Sequence, residues 1–134
     1  MELSIIIVSF NTLKLTHDCI ASLYRSLSQV SLKFEIIVVD NVSTDGTRQM
    51  LKNKFPKVRV ISNRENAGFG KANNQGIRAA KGEFILLLNS DTVVLNSSIT
   101  KLFSFAKQHP NAFVGGKLLN ADRSPQTSCG PFFS

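Results

Sequence analysis

Cysteine is scarce in this chain: Cys19 and Cys129 are the only two, far apart and without the spacing of a metal-ligand set. Such usage gives no sign of an oxidising compartment, and Cys19, inside a helical stretch, is expected to be a small buried thiol. Long apolar runs are also missing. The N-terminus, Met1 to Phe10, has no basic n-region, and its apolar run is too short to cross a bilayer, so a cytoplasmic location is expected. No internal repeat or low-complexity segment occurs. The net charge is +7, but the Lys and Arg residues are scattered, and the densest group (Lys52, Lys54, Lys57, Arg59) straddles a helix end and a strand start. No basic run is interleaved with aromatics, so nucleic acid is not the expected partner and the charge reads as a solvated basic face. A positive surface would also attract a nucleotide diphosphate or an anionic membrane, which leaves peripheral association with the inner face of the membrane open.

What remains is an ordinary globular composition, 43% hydrophobic and 19% charged over 134 residues. That is one domain's worth, on the scale of roughly 100–200 residues per domain. Apolar runs at Leu3–Val8, Phe34–Val39, Val58–Ile61, Phe84–Leu88 and Ala112–Val114 read as strands. Several are continuous and not alternating, as expected when helices cover both faces of a strand. Leu13, Thr16, Ile20, Leu23 and Leu27 line one face of a helix between the first two. A second helix is expected to start near Ser43-Thr44-Asp45, with Ser43 as N-cap, and to end before Pro56. A third should run from about Gly68 to Ala80, and a fourth from about Ser97 to Gln108. This alternation predicts an α/β fold with a doubly wound, mainly parallel sheet, whose ligands bind outside the carboxyl ends of the strands, here at Ser9-Phe10-Asn11, Asp40-Asn41, Ser62-Asn63 and Asn89-Ser90-Asp91.

At those ends the chain has neither G-x-G-x-x-G nor a P-loop, which disfavours both phosphate cradles and a nucleotidyltransferase. It also lacks the acidic pair that a receiver-like signalling domain would need after its first strand. The first strand instead leads into Ser9-Phe10-Asn11. These could hold a base by stacking and edge hydrogen bonds, or could form a plain turn with Asn11 or Thr12 capping the helix. Asp40 ends the second apolar run, where a carboxylate needs a donor. It either accepts hydrogen bonds from its own following loop, next to Asn41, or takes the imide N–H of a uracil or thymine. Asp45 suits a helix start through the dipole.

Asn66-Ala67-Gly68-Phe69-Gly70-Lys71-Ala72-Asn73-Asn74-Gln75-Gly76 is the most unusual segment. Its glycines allow close backbone approach, and loop amides at a helix start suit a diphosphate, with Lys71 or Arg64 adding charge. Caps and tight helix packing account for some of these residues but not all. Asn89-Ser90-Asp91 follows the fourth apolar run. Oxygen-bearing side chains at i and i+2 of an extended end share one face, and hard Mg²⁺ or Mn²⁺ would take them together with phosphate oxygens, although an N-x-D triplet alone is common.

The four segments in this order, Ser4–Asn11, Ile37–Thr47, Asn66–Ile77 and Leu86–Val94, resemble the family 2 glycosyltransferases of GT-A fold, with most similarity to the rhamnosyltransferase-like branch. The resemblance implies that Ser9, Phe10, Asn11, Asp40 and Asn41 bind base and ribose. It assigns Asn66, Gly68, Phe69, Lys71, Asn73, Asn74 and Ser90 to the rest of a UDP- or dTDP-sugar. Asp91 matches the metal-binding aspartate of the family's D-x-D, and Asn89 replaces its first acid, so Mg²⁺ or Mn²⁺ is the implied cofactor. Inverting transfer in cell-surface polysaccharide assembly, to a saccharide or lipid-linked acceptor, is the implied activity of the full-length enzyme. Residues 1–117 would form the donor domain, and 118–134 the start of a connection to an acceptor-binding half.

Such enzymes carry an acidic base further along to deprotonate the acceptor hydroxyl. No acid follows Asp122 here, so the chain reads as a donor half without its base, a gene fragment or a degenerate copy. The alternative is a non-catalytic nucleotide-binding or interaction module. Apolar surface at Phe113, Leu118, Phe132 and Phe133, left without its second half, would be a site for homodimerisation.

Overall fold

Four strands and four helices alternate along the chain: β1 (Leu3–Ser9), α1 (Leu13–Leu27), β2 (Phe34–Asp40), α2 (Thr47–Lys54), β3 (Arg59–Ser62), α3 (Phe69–Ala79), β4 (Phe84–Asn89) and α4 (Ser98–Gln108). They come from a computed structural model that describes residues 1–116. The expected connection at 118–134, with Asp122, Cys129, Phe132 and Phe133, lies outside the described residues. The chain divides into two compact units, Met1–Leu95 and the part from Asn96 onward.

In the first unit the strands form one parallel sheet in the order β3-β2-β1-β4. The expected α/β, doubly wound, parallel architecture is therefore what the chain adopts. β1 and β2 are its interior strands and are buried along almost their whole length, which is why they read as continuous apolar runs. Ile5, Ile6 and Ile7 are all fully buried, and burying such a side chain contributes about 1.5–3 kcal/mol each.

Successive side chains of a strand point to opposite faces. Ile6, Val8, Ile37 and Val39 share one face and form a core with Ile61 and with Ala72 and Ala79 of α3. On the other face lies α1, whose expected apolar stripe is buried at Thr16, Ile20, Leu23 and Leu27, joined by Cys19 and Ser22. Its place against the sheet is tied by polar contacts: Ser9 Oγ meets Thr16 Oγ1 at 3.0 Å, and Ser22 Oγ accepts the Val94 N–H at 2.9 Å.

Gly76 is where α3 comes closest to the sheet. A Cβ there would overlap the Cγ2 of fully buried Ile6. Gly76→Ala should therefore lower stability by about 1–3 kcal/mol, in spite of alanine's higher helix propensity. Urea denaturation checks this, and an unchanged or raised midpoint would show that Ile6 can move aside.

Three expectations fail. Ala112–Val114 is not a strand but a bend and irregular chain, with Phe113 fully exposed. A strand is completed by a ladder partner, and three apolar residues after Pro110 have none among the described residues. The second helix starts at Thr47, not at 43–45. Its N-cap position is Gly46 in the left-handed region, and Ser43 points back to Asp40 instead of capping. β4 also alternates between half-buried and exposed positions, leaving Ile85 and Leu87 in the open. Among the described residues it is the last strand on its side of the sheet and one of its faces is uncovered, so an unbroken apolar run does not mean here that both faces are covered. In the second unit, α4 carries ring contacts of its own, with Phe105 and His109 centroids 4.4 Å apart.

Candidate functional site

The parallel register lines up the carboxyl ends of the strands. Ser62 pairs with Asp40, Asp40 with Ser9, and Val8 with Asn89. β1, β2 and β3 extend the sheet one way and β4 joins on the other side of β1, so the strand order reverses between β1 and β4. The turn after β1 and the turn after β4 meet at that point: Thr12 Oγ1 donates to Ser90 Oγ at 3.4 Å.

Asp40 and Asn41 are adjacent in sequence and so serve opposite faces. Asp40 is 0% exposed. Its carboxylate accepts the Ser43 N–H at 3.1 Å, the Ser43 hydroxyl, and Arg48 Nε at 2.7 Å. Arg48 also donates to the Asn63 carbonyl at 3.0 Å. Of the two readings open for Asp40, the structure shows bonding to its own loop. Asn41, on the other face, is 3% exposed. Its Oδ1 accepts from Asn63 Nδ2 at 2.8 Å and from the Ala67 N–H at 3.3 Å, while its Nδ2 donates to the Gly68 carbonyl at 3.3 Å.

The turn after β1 is locked to the loop after β2. Asn11 lies in the left-handed region at φ 50°, where short amide side chains are among the few tolerated. Its N–H donates to Ser43 Oγ at 2.9 Å, and its Oδ1 accepts the Thr44 N–H at 2.7 Å. Neither Asn11 nor Thr12 caps α1. Asp45 does so from the neighbouring loop, accepting the Leu13 N–H at 2.9 Å on one oxygen and the Thr47 N–H at 3.1 Å on the other. Burial pushes the Asp45 carboxyl up, but the Thr47 hydroxyl and these backbone donors outweigh it and hold it below its ordinary range. Ser9 is buried against Thr12 and Thr16, whereas Phe10 stands 48% exposed beside the crevice.

Before α3, Asn66 Oδ1 accepts the Gly68 N–H at 2.8 Å, and Gly68 takes φ +81°, a conformation suited to glycine. Phe69 is 60% exposed. Lys71 and Asn74 are exposed and line a shallow cavity of about 300 Å³ with Ala67, Gln75 and Arg78, whereas Asn73 is buried in the helix.

Beyond Asn89 the extended chain stops. The Thr92 N–H bonds to the Asn89 carbonyl at 3.1 Å, so Ser90 and Asp91 are the middle of a turn. Strand alternation therefore does not bring the Asn89 and Asp91 side chains to one side, contrary to what their spacing predicts, and the turn sets their directions. Both are exposed. One amide and one carboxylate oxygen set are hard donors that suit Mg²⁺ or Mn²⁺ only as part of a shell completed by a ligand's phosphates or water. Among the described residues no three or more His, Cys, Asp or Glu gather into a metal cluster. Burial, with Asp91's charge added, pushes the Cys19 thiol up to about 12, so Cys19 is an inert core thiol whose Sγ bonds the Asn89 carbonyl.

Sequence reasoning missed Arg48, found Asn63 and Gln75 without their partners, and gave Ser43 a cap it does not form, whereas Asp45 does meet the start of the following helix through the Thr47 N–H and also caps α1. Asp45-Gly46-Thr47 carried a usable signal, an acid two residues before a helical threonine. Arg48 carried none, because its partners Asp40 and Asn63 come from other elements.

The family model described as Glycosyl transferase family 2 matches residues 4–127. Among curated proteins, the chain is 34% identical over 122 residues to the poly(ribitol-phosphate) beta-glucosyltransferase of Bacillus spizizenii, covering 88% of this chain and 19% of that protein. It is 31% identical over 125 residues to the glycosyltransferase GlyG of Streptococcus pneumoniae, covering 91% and 40%. The chain thus spans well under half of the length of these relatives. Among solved structures it superposes on Staphylococcus aureus TarS in complex with UDP-GlcNAc with a TM-score of 0.70 at 28% identity, covering 82% of this chain and 32% of that one. The mannosyltransferase PcManGT of Pyrobaculum calidifontis, with GDP-Man and Mn²⁺, gives 0.65 at 23% identity over 74% and 30%, a likeness of fold.

Proposed function

The chain belongs to glycosyl transferase family 2, and on that premise we propose that it is the donor-binding part of a metal-assisted enzyme that transfers sugar from a UDP- or dTDP-sugar during cell-surface polysaccharide assembly. The observation that carries this reading is the meeting of the β1 and β4 turns where the strand order reverses, the usual ligand crevice of open α/β sheets. Relatives solved with UDP and UDP-GlcNAc support the donor class.

Phe10 offers an exposed ring face to the base beside Ser9 and Asn11. The Asn66–Lys71 segment offers backbone amides and one ammonium to the diphosphate. Asp91 and Asn89 would hold the metal, Mg²⁺ or Mn²⁺. When bound, a divalent ion supplies positive charge that offsets the charge growing on the departing nucleotide. Asp40, occupied by Ser43 and Arg48, acts on this reading chiefly by shaping the loop that holds Asn11. Residues 1–117 serve as the donor domain and 118–134 as the connection to an acceptor-binding half, working at the cytoplasmic side of a membrane. No helix among the described residues is long and apolar enough to cross one.

Calorimetric titration of the chain with UDP and dTDP, with Mn²⁺ or with EDTA, tests this. Binding should be seen with metal and should weaken about 100-fold without it. Silence for both nucleotides with metal present would leave a non-catalytic module as the better account.

A further inference from the structure

Gln75 is joined to Asn63 by two reciprocal bonds: Asn63 Nδ2 donates to Gln75 Oε1, and Gln75 Nε2 to Asn63 Oδ1, each at 2.8 Å. This face-to-face amide pair couples the orientation of Asn63 to that of Gln75, and with Gln75 in place Asn63 has one orientation. Flipping its amide would set oxygen against oxygen and nitrogen against nitrogen. In that orientation the second N–H of Asn63 Nδ2 reaches Asn41 Oδ1 at 2.8 Å. Asn41 is thereby oriented in turn, with its oxygen toward the Ala67 N–H and its nitrogen toward the Gly68 carbonyl. A flipped Asn41 would lose both of those bonds at once.

The Ala67-Gly68 loop has little else to hold it. A Cβ at Gly68 would meet nothing within 4 Å, so packing does not fix its positive-φ backbone; Asn66 supplies a local turn bond, and the Ala72 N–H meets the Gly68 carbonyl at 3.1 Å in the first turn of α3. We propose that Gln75 is a positioning residue: through Asn63 and Asn41 it sets the conformation of the Ala67-Gly68 loop and so aims the first amides of α3 at the diphosphate. The diphosphate part of this inference rests on the donor reading above, whereas the amide relay does not.

Gln75→Leu keeps the bulk and removes both polar atoms, and Gln75→Glu keeps the acceptor for Asn63 while losing the donor. In the free protein, amide exchange at Ala67 should speed up about tenfold in Gln75→Leu, the loss of one net hydrogen bond, while β1 and β2 amides keep their protection. With Mn²⁺ present, UDP affinity should fall about tenfold and uridine affinity should stay within about twofold, because only UDP carries the diphosphate. Gln75→Glu sets a carboxylate oxygen against Asn63 Oδ1 and adds a negative charge near the loop, so it should do at least as much damage as Gln75→Leu in both.

Unchanged exchange at Ala67, or faster exchange throughout β1 and β2, overturns the relay. Faster exchange at Ala67 with UDP affinity intact overturns the positioning role. If wild type binds no UDP, the donor reading falls with the diphosphate part, and the exchange data still decide whether Gln75 governs the loop.

Discussion

Arg48→Ala is expected to destabilise the first unit more than Asp40→Asn does, with a loss of about 3 kcal/mol, the lower end of what breaking a buried ion pair costs. The reason is the asymmetry of the pair. Asp40 is 0% exposed and Arg48 43%. Removing the arginine strands a carboxylate away from water, with only the Ser43 N–H and hydroxyl left to it. In Asp40→Asn the group left behind is a guanidinium that can turn to solvent and still donate to the Asn63 carbonyl. That substitution should cost about 1.5–2 kcal/mol, the lower part of the range for a hydrogen bond to a charged group. Urea denaturation of both variants gives the order. A loss below about 1 kcal/mol for Arg48→Ala would mean that water reaches Asp40 freely. The order matters for function, because Ser43 also accepts the Asn11 N–H, and Asn11 holds Thr44. A weakened nucleotide in an Asp40 variant thus reports on the whole loop before it reports on a contact to the base.

The fold was largely legible, for a physical reason. Interior parallel strands must be apolar on both faces, so β1 and β2 announced themselves, and helix periodicity marked α1 by the same residues that are buried. The strand ends followed: Asp40 and Asn89 do close β2 and β4. Legibility stopped where a residue's role depends on a partner far away in sequence. Ser43 looks like an N-cap because serine at a helix start usually is one, yet Asp40 competes for it and wins. Ala112–Val114 looks like a strand because β-propensity is local, whereas a ladder is not. The polar residues of the Asn66–Gly76 segment could not be sorted by spacing alone. Asn74 and Lys71 are turned outward, Asn73 is buried, and Gln75 belongs to an amide pair with a residue at the end of another strand. Loop residues that bond to other loops carry no period to detect.

Asp91→Ala is expected to remove the metal dependence of nucleotide binding while leaving the fold intact. Asp91 is exposed in a turn closed by the Thr92 N–H and the Asn89 carbonyl. Truncating it should change stability by no more than about 0.5 kcal/mol, as for surface positions generally. Its effect on the metal is a different matter. Asn89 offers a neutral oxygen and Asp91 a charged one, and with no third ligand-type side chain clustered there among the described residues, the carboxylate is the main protein charge available to a divalent cation. UDP affinity in Mn²⁺ should therefore fall about 100-fold, at the upper end of what disturbing a metal's surroundings costs. Affinity in EDTA should match wild type. Asn89→Ala, which removes only a dipole, should cost about tenfold by the same scale. Calorimetry of the two variants with and without Mn²⁺ separates these outcomes. If Asp91→Ala keeps its response to Mn²⁺, the ion is held elsewhere and the turn after β4 is not the metal site. If its affinity falls equally in EDTA, Asp91 touches the nucleotide without a metal between them.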